Sequence, residues 1–261
     1  MKDAVRLIAI IFAMMASPAG FAAGVIESAQ GQVRAGASAA SAKAVAVKQR
    51  IAASTTLTTG PKSRAVVRFD DGQAIVLHEN SEFRVAEYSF VKDQPARDKF
   101  GFELIKGALR SVTGALTRRT PRAYTLRTAT ATMGIRGADF MVAVVNPVYL
   151  RMLDGAVEVV NTAGAAMFST GAAGIVASKT ALGITIPFSA LPVSIAATFS
   201  ELAGLVILVD GATVGAALAA AGAEGALTLP AALGIAGAIA AGIAAAAAQK
   251  DGTSGATTTT R

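Results

Sequence analysis

Between Gly24 and Lys179 apolar side chains recur at every second residue, and glycine breaks the rhythm at short intervals. Arg64-Ala65-Val66-Val67-Arg68-Phe69 sets Ala65, Val67 and Phe69 on one face and both arginines on the other. That is the two-residue period of a half-buried strand. Asp70-Asp71-Gly72 follows, and Asp-Gly supplies the positive φ angles that a hairpin turn needs, so Gln73 to Leu77 reads as the returning strand. Ser81 to Tyr88 alternates again, with Phe83 and Val85 inward. Val148 to Leu153, Asp154-Gly155 and Ala156 to Val160 repeat the design as a second hairpin, and Arg-x-x-Asp-Gly occurs at both Arg68–Gly72 and Arg151–Gly155. Gly31, Gly60, Gly107, Gly114, Gly164 and Gly171 punctuate further short runs, and no long helical period competes before Lys179. Many short strands separated by turn residues predict an all-β domain, either a sandwich or a solenoid-like stack.

The flanks differ in kind. Lys2 and Arg6, the apolar run Leu7–Ala16, the Ser17-Pro18 break and the small residues around Phe21 have the order of a secretory signal peptide covering 1–22. The β domain is then expected over 23–179. From 180 to 249 alanine, glycine and aliphatics dominate, with only Glu201, Asp210 and Glu224 charged, and a helical region is expected there. Residues 229–248 carry no charge and are long enough to cross a bilayer, but alanine and glycine make insertion marginal. Ile195 to Ala221 is a poorer span, because Glu201 and Asp210 interrupt it. The threonine-rich tail, 250–261, has too little apolar surface to fold. There is no cysteine, so an exported chain of this sequence is held by packing and hydrogen bonds without disulfides.

Thr128-Ala129-Thr130-Ala131-Thr132-Met133-Gly134-Ile135-Arg136-Gly137-Ala138-Asp139-Phe140 resembles the signature of the FecR domain family. Other pieces follow in family order: Leu57-Thr58-Thr59-Gly60, Phe69-Asp70-Asp71-Gly72, Leu104-Ile105-Lys106-Gly107-Ala108-Leu109-Arg110, and Leu153-Asp154-Gly155-Ala156-Val157-Glu158-Val159. The resemblance spans about Gly24 to Ala177. It implies a FecR-type β fold and an envelope location more than an activity. Ala138 stands where the family usually has threonine, which implies the loss of a hydroxyl hydrogen bond. An N-terminal signal peptide replaces the cytoplasmic sigma-factor-handling segment of the best-known members, so their iron-signalling role is not carried over.

The expected function is that of an exported, non-enzymatic binding or signalling module of the periplasm or envelope. A structural or self-assembling envelope component is the alternative, and a cell-wall glycan enzyme ranks below both. Gly134, Arg136 and Gly137 are candidate interaction residues: either Arg136 meets a partner's carboxylate, or it pairs with an acid of its own domain. Arg118, Arg119 and Arg122, with Arg110 and Arg127 near them in sequence, form the strongest basic cluster of a chain with net charge +7. Anionic lipid or polysaccharide suits that cluster, whereas nucleic acid is disfavoured by the export signal and by the lack of stacking aromatics. Asp70 and Asp71 read as turn formers, and His78 as an isolated histidine. No catalytic motif, metal-ligand spacing or cofactor-binding motif occurs, so no catalytic, metal or cofactor residue is assigned. The partner is expected to be an envelope protein or glycan, with membrane contact through 229–248.

Overall fold

The structure is a computed structural model that describes residues 22–91, 93–113, 120, 123–209 and 212–214. The signal segment as far as residue 21, the apolar stretch 229–248 and the tail 250–261 lie outside the described residues, as do Arg118, Arg119 and Arg122. The strands in chain order are β1 (Ala22–Gln30), β2 (Val33–Gly36), β3 (Lys43–Ala44), β4 (Arg50–Ala52), β5 (Thr56–Thr59), β6 (Arg64–Phe69), β7 (Ala74–Leu77) and β8 (Glu82–Ser89). They continue with β9 (Lys99–Val112), β10 (Tyr124–Arg127), β11 (Thr132–Val144), β12 (Val148–Asn161), β13 (Gly164–Ser169), β14 (Ala173–Val176) and β15 (Ile184–Ile186). All of these join in one continuous 15-stranded sheet. Among the described residues one α-helix, α1 (Val193–Ala203), follows, and then a separate hairpin of β16 (Ile207–Val209) and β17 (Ala212–Val214). The chain is all-β in class.

Three long strands turn the single sheet into a two-layer sandwich. β9 and β12 have 14 residues each and β11 has 13. The first half of β9 pairs with β8 and, in parallel, with β10, whereas its second half pairs with β7 and β11. β11 leaves β10 in the same way, and β12 exchanges β14 for β13. One layer therefore holds β4, β1, β6, β7, β14 and β15, the other β3, β2, β5, β8, β10 and β13, and the long strands belong to both. Strands that switch layers at bends are how such sandwiches make their corners.

Each long strand bends at a glycine: Gly107 in β9, Gly137 in β11 and Gly155 in β12, with φ of +83°, +56° and +80°. The β11–β12 register shifts between Arg136 and Asp139, opposite Gly155. A β-carbon at Gly155 would run into the Gly137 carbonyl oxygen and come within 2.8 Å of the Ala138 Cα. Glycine is thus required there by both conformation and space.

The expected hairpin at Asp154-Gly155 is not formed, because β12 bends there but continues as one strand. The hairpin turn lies between β11 and β12 instead, at Val145-Asn146-Pro147, with a cis Asn146–Pro147 peptide. Gly134-Ile135-Arg136-Gly137 is likewise strand and bulge rather than turn. A positive-φ glycine serves a bulge as well as a turn, and only the partner strand distinguishes them. Asp70-Asp71-Gly72 does turn, between β6 and β7, with Gly72 at φ +89°.

Between the layers Phe102 is the hub, with ring centroids 4.9 Å from Phe69, 5.6 Å from Phe83 and 5.2 Å from Tyr124. The outer face of the first layer has a second core, where Val76, Met141 and Tyr149 lie under Ile195, Phe199 and Leu202 of α1. The helix anchors follow the i, i+4, i+7 spacing of one helix face. Their burial contributes roughly 5–9 kcal/mol before the entropy of ordering the helix is counted. Residues on both sides of Lys179 therefore pack on the same sheet, since β15 pairs with β14 and α1 covers β9 and β11. Among the described residues no helix is long and apolar enough to cross a membrane.

Two glycines of similar φ separate conformational strain from close approach. Gly171→Ala, at φ +82° with nothing within 4 Å of the new β-carbon, is expected to cost about 1 kcal/mol in urea unfolding. Gly155→Ala adds a backbone collision and is expected to cost about 2–4 kcal/mol. Equal losses would show that the corner is not closed as described.

Candidate functional site

The solvent face of the second layer, over the first half of β11, the second half of β12 and β13, gathers two of the residues singled out in the sequence, Gly134 and Arg136. Arg136 stands opposite Ala156 and Gly134 opposite Glu158 on β12, while Glu158 and Val160 stand opposite Met167 and Ala165 on β13. Opposed residues share a face, so Arg136, Glu158, Val160 and Met167 all point outward. Met133, Ile135, Val157, Val159 and Phe168 point inward and are buried. Val160 and Met167 are 43% and 52% exposed and stand diagonally side by side on this face. Gly134 leaves the middle of the face without a side chain, and a β-carbon there would meet only the Glu158 carbonyl, at 3.9 Å. Gly137 does not belong to the face; it forms the corner of β11.

Arg136 does have an acid beside it. Its Nη2 lies 3.6 Å from Glu158 Oε2, and the two side chains are 55% and 38% exposed. That distance is too long for a hydrogen bond, and water screens such a pair to below about 1 kcal/mol. The guanidinium therefore keeps its donors for another acceptor. The result is a flat surface with apolar Val160 and Met167, a glycine gap and an under-used arginine.

Arg110, although close in sequence to Arg118, Arg119 and Arg122, is no part of a surface cluster: its side chain is fully buried. Its Nε donates to Asp139 Oδ1 at 2.9 Å and its Nη2 to Asp139 Oδ2 at 2.6 Å, a two-point fork. Its Nη1 donates to the carbonyls of Leu202, Ala203 and Leu205 at 3.0, 3.3 and 2.8 Å. Leu202 and Ala203 close α1 and Leu205 follows it, at the helix end that favours a positive charge. The backbone of Ala138 is bonded by a hydroxyl from the residue that follows β9. Thr113 Oγ1 accepts from the Ala138 N–H at 2.6 Å and donates to its carbonyl at 2.9 Å.

A second buried network holds the β6–β7 turn. Gln73 Nε2 donates to Ser111 Oγ at 3.1 Å and to Tyr124 Oη at 2.6 Å, and the two hydroxyls bond each other at 3.0 Å. Tyr88 donates to Asp71 Oδ1 at 3.2 Å and accepts the Asp71 N–H at 3.0 Å. Burial pushes both tyrosine hydroxyls above their usual range, with the Asp71 charge adding to the effect at Tyr88. Asp71 is thus a buried acceptor as well as a turn former, while Asp70 reaches out to Arg50 at 3.1 Å. His78 is not isolated: its Nε2 lies 3.0 Å from Glu201 Oε2 on α1, a partner 123 residues away that local sequence could not reveal. Among the described residues no group of three or more His, Cys, Asp or Glu side chains could hold a metal ion.

These features define a two-layer β domain whose buried polar residues hold its bends and whose outer face carries Arg136. The model of the FecR protein family matches residues 55–158, and the chain carries a FecR domain there. Two solved structures of a candidate anti-sigma factor from Parabacteroides distasonis are similar to this chain at 18% and 16% identity, each with a TM-score of 0.42. Each match covers 51% of this chain and 59% of that one, so the chain spans under two thirds of the length of that protein. No curated protein matches the sequence.

Asp139→Asn leaves a buried guanidinium without its counter-charge and is expected to cost about 3–5 kcal/mol in chemical unfolding. The double variant Arg110→Met with Asp139→Asn is expected to recover part of that loss, because it removes both charges. A double variant that loses the sum of the two single losses would exclude coupling between the side chains.

Proposed function

We propose that this chain is a non-catalytic interaction module of the bacterial cell envelope, exported by its N-terminal segment, that binds a protein partner through the outer face of β11, β12 and β13. The observation that carries this reading is the different use of two arginines. Arg110 has its donors consumed inside the fold, whereas Arg136, in the same signature region, stands in solvent with one long, screened contact. Methionine, arginine and aliphatic residues beside a flat strand surface are the composition that protein interfaces favour. The Arg136 fork would orient a partner carboxylate, and Val160 and Met167 would supply desolvated area around it. Export rests on the order of basic, apolar and small residues in 1–22. A signalling role fits the FecR match, but which signal passes, and to which protein, is left to the partner's identity.

A photo-crosslinking residue placed at Met167 in cells is expected to trap a discrete adduct in the envelope fraction. Arg136→Glu is expected to reduce that adduct at least about tenfold while leaving the thermal midpoint unchanged, because Arg136 lies on the surface. Adducts of equal yield from a crosslinker at Val47, on a different loop, would overturn the assignment of this face.

A further inference from the structure

On the opposite side of the sandwich, next to α1, two adjoining pockets share Gln30 and Arg64 as a common wall. One is polar, about 300 Å³, and lined by Lys62, Arg64, His78 and Glu201 among others. The other, about 270 Å³, is lined on one side by Val66, Val76, Leu205, Val206 and Ile207 and on the other by the paired Glu27 and Arg68. Together they make a groove with a charged end and an aliphatic end. Neither end overlaps the face around Arg136.

Among the arginines that line the two pockets, Arg64 is the under-coordinated one. Arg68 is matched by Glu27, which accepts from its Nε at 3.1 Å and its Nη2 at 2.9 Å. Glu79 accepts the backbone N–H of Lys62. Glu201 is held by His78 at 3.0 Å, and its oxygen is 3.8 Å from Arg64 Nη2, beyond hydrogen-bond range. Arg64 therefore makes no side-chain hydrogen bond among the described residues, and its Nε is buried without a partner. A guanidinium has five N–H donors in a planar fork suited to a carboxylate or phosphate. A bound anion would satisfy the buried donor, which is otherwise desolvated without a partner. At the aliphatic end Val206 is 60% exposed, so apolar surface stands open beside the fork.

We propose that this groove binds an amphipathic anion, a medium-length aliphatic chain ending in a carboxylate or phosphate, with its head on Arg64 and Lys62 and its chain along Val66, Val76 and Val206. The combined space falls within the size range of small-molecule pockets, roughly 300–1,000 Å³. Glu201 competes with the ligand for Arg64. The site therefore also senses how α1 sits, because Glu201 belongs to that helix.

Binding of decanoate, decyl phosphate, decanol and inorganic phosphate to the purified protein, with the two anionic amphiphiles below their micelle concentrations and decanol below its solubility limit, tests this by calorimetry. Decanoate and decyl phosphate are expected to bind saturably. Decanol and inorganic phosphate are each expected to bind at least about tenfold more weakly, since each lacks one half of the recognition. Arg64→Gln is expected to weaken decanoate at least about tenfold and Glu201→Gln to tighten it several-fold. Arg136→Gln is expected to leave it unchanged. A wild-type affinity in Arg64→Gln, weaker binding in Glu201→Gln, or inorganic phosphate binding as well as decyl phosphate would each overturn the proposal. If Arg64→Gln does not fold, amide shifts of the wild-type protein decide: decanoate must perturb Val66 and Val206, and shifts confined elsewhere refute the site.

Discussion

Arg110 enters the interior with a full positive charge, and its donors divide between two tasks. The Nε and Nη2 groups fork onto Asp139, which fixes β9 against β11 just past the corner glycines of both strands. The Nη1 group takes the carbonyls at the end of α1, which fixes the helix to the sheet. Burying an arginine alone would cost several kcal/mol, so neither task is separable from the other. Apolar burial supplies most of the force that docks α1. The arginine determines where the helix must stop, because only a chain end with free carbonyls can meet it. The interaction is a specifying constraint more than a source of stability.

The same region explains why the signature residues fall where they do. Gly107, at the β9 bend, lies three residues before Arg110, and Gly137, at the β11 bend, two before Asp139, with Gly155 of β12 closing on Gly137. Corner and ion pair form one structural unit at the crossing of the two layers. The residues matched by the family model, 55–158, contain this unit, whereas α1, which completes the coordination of Arg110, lies beyond the match. Helix α1 is therefore an integral cover for a polar group of the FecR domain.

Much of the fold is legible in local pattern because strand alternation is a local property. The β6–β7 hairpin could be read from Ala65, Val67, Phe69 and the Asp-Gly that follows. The corners could not, since Asp154-Gly155 has the same local chemistry as Asp71-Gly72 and only its cross-strand neighbours make it a bulge. Arg110 looked like a member of a surface cluster because its sequence neighbours are basic, yet its partner Asp139 is 29 residues away and its carbonyl partners are more than 90 away. His78 and Glu201 were hidden by distance in the same way. Arg136 and Gly134 could be singled out from sequence, but Val160 and Met167, which complete their face, gave no signal because apolar residues are ordinary in a strand. The legible part depends on short-range periodicity; the rest depends on which strands meet.

Two surfaces remain for function once the interior is accounted for: the flat face around Arg136 and the groove around Arg64. Both present arginines whose acidic neighbours stand too far away to satisfy them, and both depend on the sheet being bent and locked as described. The side-chain signals of Arg110 in an isotope-labelled sample test that lock most directly. The account predicts a slowly exchanging Nε–H and distinct, hindered Nη resonances, as expected for a fork held on two sides out of water. An Arg110 Nε–H that exchanges as fast as that of Arg136 would contradict it.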